Sequence, residues 1–350
     1  MTGDDARRRV PGTALTGSAA CAAGAVVLSL LLAPNMAAAQ DKTYTMKITL
    51  PTVGDPSFHY AKDYAAAIEK DSGGRIKTEI YGASQLGTIP RQIEGTQFGA
   101  IQCAIMPPEF FVGVDERFEV MAAPGLVDTM AHGERLAADP AVLKVMLGLG
   151  AEKGLHGVAL FMNSPSSVIS RDPIRTLAEF KGKKIRVLAS PFQTQAISRL
   201  GATPVAMTLG DVIPAIQQGA IDGAVGGIVV WTPMHFVDTA KNVTETGQPA
   251  IYAIAEISKS WYDSLPPDLQ KIVDGDAVTQ QAAIYSVAMD IVDKARKSWT
   301  DSGGELIGLP AAEQADMMKT FSSVGADVSA TKPLLNDAYK IVTDAAQRTR

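Results

Sequence analysis

Arg186 stands in the stretch FKGKKIRVLAS, residues 180–190, between Ile185 and the pair Val187-Leu188. In a strand, Ile185 and Val187 point one way and Arg186 the other, together with Leu188. If both faces of the sheet are covered, the guanidinium lies in or near the interior and needs a carboxylate or several acceptors. That partner is either a protein group or something that arrives from outside. Other chemistry finds little support. His59, His132, His156 and His235 stand in no metal-ligand spacing, and Cys103, alone after residue 39, builds neither a zinc cage nor an internal disulfide. Gly182-Lys183 lacks the flanking residues of a phosphate loop. LGLGAEKG (147–154) has one residue too many for a dinucleotide loop, and GASQLG (82–87) is not a nucleophile elbow. Neither a cofactor nor a metal is expected.

The elements around Arg186 have an α/β rhythm. Residues 43–50 alternate as a strand, 59–71 have helical spacing closed by Gly73-Gly74, 75–81 alternate again, 89–95 form a short helix and 100–106 a short strand. This β-α-β-α-β order implies a lobe with a largely parallel sheet. The rhythm restarts with strands at 157–161, 185–188, 203–207 and 221–225, and helices at 192–200 and 211–218. Pro266-Pro267-Asp268 opens a helical run to about residue 302, long enough to follow both lobes, and helices near 311–323 and 330–348 follow. The fold expected is α/β and two-lobed. Lobe 1 takes 40–163 plus about 249–275, lobe 2 takes 164–248 plus about 276–350, and the helix at about 268–302 is shared.

The first 39 residues differ. Arg7-Arg8-Arg9 precedes a small apolar run ending in Ala37-Ala38-Ala39, the plan of a secretory signal peptide cleaved near Ala39. Its apolar core, 25–33, broken only by Ser29, is short for a membrane span. The chain of 350 residues carries a net charge of −5; losing three Arg and two Asp with the leader gives about −6, a poor balance for nucleic acid. A periplasmic protein, working as a monomer, is expected.

From Lys181 the chain reads KGKKIRVLASPFQTQAISRLGATPVAMTLGDVIPAIQQGAIDGAVGG. This resembles the signature of TRAP-transporter extracytoplasmic solute-binding proteins (family 7, DctP-like): G-x-K-[IL]-R-[VI], L-G-A-x-P, [AL]-[IL]-Q-x-G and [IV]-D-[GA] occur in order. SGGRIKTEIYGASQLG (72–87) and ISKSWYDSLPPDLQKIV (257–273) are similar to further family segments, so the resemblance covers most of 43–300. It implies a periplasmic binding protein-like fold, two lobes hinged by crossing strands and a long helix, that catches a small organic acid and delivers it to membrane permease subunits using an ion gradient. It implies no catalysis. It also implies that Arg186 meets the ligand carboxylate, which suits its planar fork; a structural Arg bonded to protein acceptors is the alternative.

Two departures bear on the ligand. Gly226 stands where some members have a polar Asn, and Ser166 where some have a second Arg; Arg171 is the nearest basic residue and is either that second cation or a solvated one. The following run Gly227–Trp231 is apolar. Together they imply a monocarboxylate, a 2-oxo acid or an aromatic acid. Further candidates are Phe58 and His59 after the first strand, Glu109 as a hydroxyl acceptor, Ser190 as a carboxylate donor or a helix N-cap, and Trp231 as a stacking surface or core residue. Competing functions are an exported α/β lyase or hydrolase acting on a small carboxylate, and the binding protein of an ATP-driven importer.

Overall fold

The computed structural model describes residues 42–188 and 190–350; the expected leader lies outside them. The chain begins with β1 (Tyr44–Thr49), α1 (Pro56–Asp71), β2 (Ile76–Tyr81), α2 (Ile89–Gln97) and β3 (Cys103–Met106). Asp55 caps α1, its side chain accepting from the Phe58 N–H at 3.0 Å, and Pro56 fills the first helical position. Two 3₁₀ turns, Pro108–Phe111 and Glu116–Ala122, lead to α3 (Met130–Ala137), α4 (Pro140–Met146) and β4 (Leu155–Ser164). After Pro165-Ser166 come β5 (Ser167–Ser170), β6 (Lys184–Val187), α5 (Pro191–Arg199), β7 (Thr203–Ala206), α6 (Val212–Gln217), β8 (Gly223–Gly226), α7 (Ile228–Trp231) and β9 (Asn242–Glu245). The chain then returns through β10 (Ile251–Ser258), α8 (Lys259–Asp263), α9 (Pro267–Asp301), β11 (Glu305–Gly308), α10 (Ala311–Phe321), α11 (Val324–Ser329) and α12 (Pro333–Arg348).

The strands form two sheets, ordered β2-β1-β3-β10-β4 and β11-β9-β5-β8-β6-β7. Both are largely parallel, as expected, but each carries one strand that runs against the rest. β10 runs antiparallel between β3 and β4, and β5 runs antiparallel between β8 and β9. The cause is the crossing itself. β4 leaves the first sheet and becomes β5 of the second; β9 leaves the second and becomes β10 of the first. Each arriving strand starts at the seam and runs away from it. The strands antiparallel to it, and those parallel to them, end there. The carboxyl ends of β1, β3, β4, β6, β7 and β8 therefore converge on one seam, where open α/β sheets place their ligands.

Long helix α9 holds the two sheets together. Its buried positions Leu269, Val273, Ala277, Gln281, Ile284, Ala288, Val292, Ala295 and Trp299 recur at three or four residues, one stripe along about 50 Å of helix. The first half packs with α1, where the Tyr64 hydroxyl donates to the Val273 carbonyl at 3.0 Å. The second half packs against Trp231 and Phe236 beside the second sheet. Gln281 covers the outer edge of β4, accepting from the Leu160 N–H at 3.0 Å. The last helices span both sides: α10 and α11 lie on α5, while α12 lies on the 116–122 turn, α3 and α4. The helix expected near 330–348 is α12; α11 before it was not expected, and residues 330–332 separate the two. Pro333 cannot continue a preceding helix, and opens a new one.

Candidate functional site

A cavity lies at the seam, enclosing about 550 Å³ of empty space with its mouth included. From the first sheet come Thr52, Asp55 and Ser57 after β1, Ile105 to Pro107 and Phe110 at the end of β3, and Asn163 of β4. From the second come Arg186 of β6 and Leu188 just after it, Leu209 after β7, Gly226 at the end of β8, and Gly227, Val230 and Trp231 after it. Most of this wall is apolar.

Arg186 is 2% exposed. Its Nε donates to the Met207 carbonyl at 3.0 Å and its Nη1 to the Val225 carbonyl at 3.1 Å, so the ends of β7 and β8 hold the guanidinium plane. A guanidinium has five N–H donors. Among the described residues, no carboxylate lies within ion-pair distance of it. Burial lowers its pKa to about 10, and the negative charge of Glu109 opposes that shift. The cation is thus desolvated, fixed and only remotely compensated.

Trp231 is a fixed wall. Its Nε1 donates to the Ser167 hydroxyl at 3.1 Å, which donates to the Gly226 carbonyl at 2.9 Å. Its ring meets Phe236 edge-on at 4.8 Å. Gly226 is required beneath it: a Cβ there would stand 2.3 Å from Trp231 Cζ2. A family-model comparison completes this picture. The model of the bacterial extracellular solute-binding proteins, family 7, matches residues 49–331. The chain belongs to that family.

Relatives of this family 7 protein include the 2,3-diketo-L-gulonate-binding periplasmic protein of Escherichia coli K12, 26% identical over 288 residues, which are 75% of this chain and 87% of that one. The C4-dicarboxylate-binding periplasmic protein of Rhodobacter capsulatus is 24% identical over 304 residues, 86% of this chain and 90% of that one. The chain spans 64% of the length of an uncharacterized Salmonella typhimurium relative, at 28% identity. In fold it is similar to a TRAP periplasmic solute-binding protein from Desulfovibrio salexigens crystallised with orotic acid, with a TM-score of 0.83 and 22% identity over 88% of this chain and 100% of that one. The TRAP-type two-lobe fold expected from residues 181–227 is the fold of this protein.

The solute-binding protein brings Arg186, Gly226 and Trp231 to the cavity and leaves five other candidates outside its lining. Phe58 and His59 lie in the first turn of α1, but Asp55 and Ser57 of that segment face the cavity instead. Ser190 is the N-cap of α5: it accepts from the Phe192 N–H at 3.2 Å and donates to Glu119 Oε2 at 3.4 Å. Glu109 is buried close by, accepting from Gln193 Nε2 at 3.2 Å. Burial pushes both Glu109 and Glu119 up to about 7, against the pull of Arg186 on the first and of Lys332 on the second. Arg171 pairs with Asp222 at 3.2 Å. It follows β5, which runs away from the seam, so it lies at the opposite end of the sheet.

Sequence reasoning missed Thr52, Asp55, Ser57 and Asn163. Asn163 Oδ1 accepts from the Ser57 N–H at 3.2 Å and the Ser57 hydroxyl at 3.0 Å, tying β4 to the start of α1. The Asp55-Pro56 pair was a usable signal, because it marks a helix start directly after a strand.

Proposed function

We propose that this protein captures a small organic monocarboxylate with a largely apolar body outside the cytoplasm. It then passes the ligand, unaltered, to the membrane permease subunits of a TRAP transporter. The observation that carries this reading is Arg186, a buried guanidinium at the cavity with no carboxylate partner among the described residues. Its free N–H groups suit a carboxylate. The acids named for the relatives and for the Desulfovibrio structure support a carboxylate ligand. The apolar wall and Gly226 favour a monocarboxylate, a 2-oxo acid or an aromatic acid over a polar sugar acid.

Capture follows from two lobes, 40–163 plus about 249–275 and 164–248 plus about 276–329, with α12 packed back on the first, closing about Pro165-Ser166 and the 246–250 segment. The protein works as a periplasmic monomer after loss of its leader. A thermal-shift screen with matched carboxylic acids and primary amides tests the reading. An acid at a hundred times its dissociation constant stabilises the protein by about 2.7 kcal/mol, and its amide does not. Equal stabilisation by acid and amide removes Arg186 from recognition. Recovery of a bound acid in altered form after incubation favours the lyase or hydrolase alternative instead.

A further inference from the structure

The cavity holds a second charge-bearing group that the carboxylate reading leaves unused. Asp55 is 2% exposed and lines the same cavity as Arg186, from the other sheet. One of its oxygens accepts from the Phe58 N–H at 3.0 Å. Among the described residues, Asp55 forms no ion pair with any cation, Arg186 included. The Thr52 and Asn163 side chains also hydrogen-bond it, and the surrounding wall is apolar. Among the described residues, the cavity thus presents a guanidinium from one lobe and a carboxyl from the other, each without an ion-pair partner.

From this pairing we infer that the ligand is a hydroxy acid, its carboxylate on Arg186 and a hydroxyl remote from that carboxylate donating to Asp55. The inference rests on the carboxylate reading above and adds the second contact. A hydroxyl has a single proton to place, and Asp55 supplies the acceptor. An ammonium brings three donors, too many for one carboxyl among Ile105, Met106 and Phe110. The contact also gives closure a reason, because a ligand bonded at both ends ties one lobe to the other.

The test is calorimetry on the mature protein with two matched series: benzoate against 4-hydroxybenzoate, and butanoate to hexanoate against their ω-hydroxy and ω-amino forms. In the wild type, the hydroxy member of at least one pair binds about tenfold or more tighter than its parent. In Asp55→Ser, which keeps a good helix cap, that ratio falls to about one. Asp55→Asn checks that a side chain of the same size without the charge also reduces the ratio. Equal binding of parent and hydroxy acids by the wild type, or a ratio that survives in Asp55→Ser, overturns the Asp55 contact and leaves Arg186 standing. Tighter binding of the amino form also overturns the hydroxyl assignment. Undiminished binding of acids by Arg186→Met overturns the carboxylate reading beneath it, and failure of every acid to bind the wild type overturns both.

Discussion

Replacing Arg186 by Met separates a ligand-binding arginine from a structural one by the sign of two measurements. In the free protein the guanidinium is buried and donates to the Met207 and Val225 carbonyls. Hydrogen bonds from a charged group contribute about 1.5–3 kcal/mol each, and burying the ion costs several kcal/mol. These terms oppose one another at similar size, so Arg186→Met should change the stability of the free protein by less than about 2 kcal/mol. With ligand bound, the loss of the guanidinium strands a buried carboxylate and costs about 3–5 kcal/mol, roughly two to three and a half decades of affinity. Arg186→Lys keeps a charge but loses the planar fork, and should weaken binding by about tenfold or more. Urea denaturation of the free protein and calorimetry with an acid that binds the wild type give the two numbers. Wild-type affinity in Arg186→Met, together with a loss of more than about 4 kcal/mol in the free protein, would make Arg186 a strut between β6, β7 and β8 and refute the reasoning.

Three further outcomes follow from the packing. Glu109 and Glu119 are pushed by burial from 4.5 to about 7, with Arg186 facing the first and Lys332 and Glu116 beside the second. The folded chain therefore holds protons that the unfolded chain releases. Their contribution is complete below about pH 4.5 and lost as pH rises through about 7, about 3 kcal/mol per group at most. A melting temperature that falls from pH 5 to 7.5, with a shallower fall in Glu109→Gln, is expected; equal slopes in the two proteins would contradict it. Gly226→Ala puts a methyl 2.3 Å from Trp231 Cζ2, so the indole must move and stretch its bond to Ser167. A loss of about 1–3 kcal/mol in urea denaturation, with altered near-ultraviolet dichroism, is expected, and unchanged values would mean the wall yields freely. Gln281→Leu leaves the Leu160 N–H at the edge of β4 without its acceptor. It should cost about 1–3 kcal/mol, and a neutral result would show that solvent reaches that edge.

What the sequence showed depended on periodicity. β1, β2 and α1 were legible because their exposed and buried faces alternate at the period of strand or helix. β10 was not: all eight of its residues are buried, so IYAIAEIS has no polar face to mark it. β9 and β11 are no shorter than β3 or β6, but NVTE and ELIG carry only one and two apolar side chains, too few to mark a strand. The same limits apply at the site. Arg186 stood out as a cation in an apolar strand. Asp55 looked like any residue that starts a helix, since its capping oxygen and its cavity position belong to one side chain. Arg171 stayed open between two readings because its position depends on the direction of β5 relative to β8, which only strand pairing reveals.

The break between α11 and α12 has a mechanical consequence. One side of it is fastened to α5, next to the strand that carries Arg186, and the other to the 116–122 turn and α3 on the opposite side of the seam. Lys332, at the break itself, grips Glu116 and Glu119. Three residues, 330–332, are thus all that joins a helix on one side of the seam to a helix on the other, and a glycine inserted there is expected to loosen that tie.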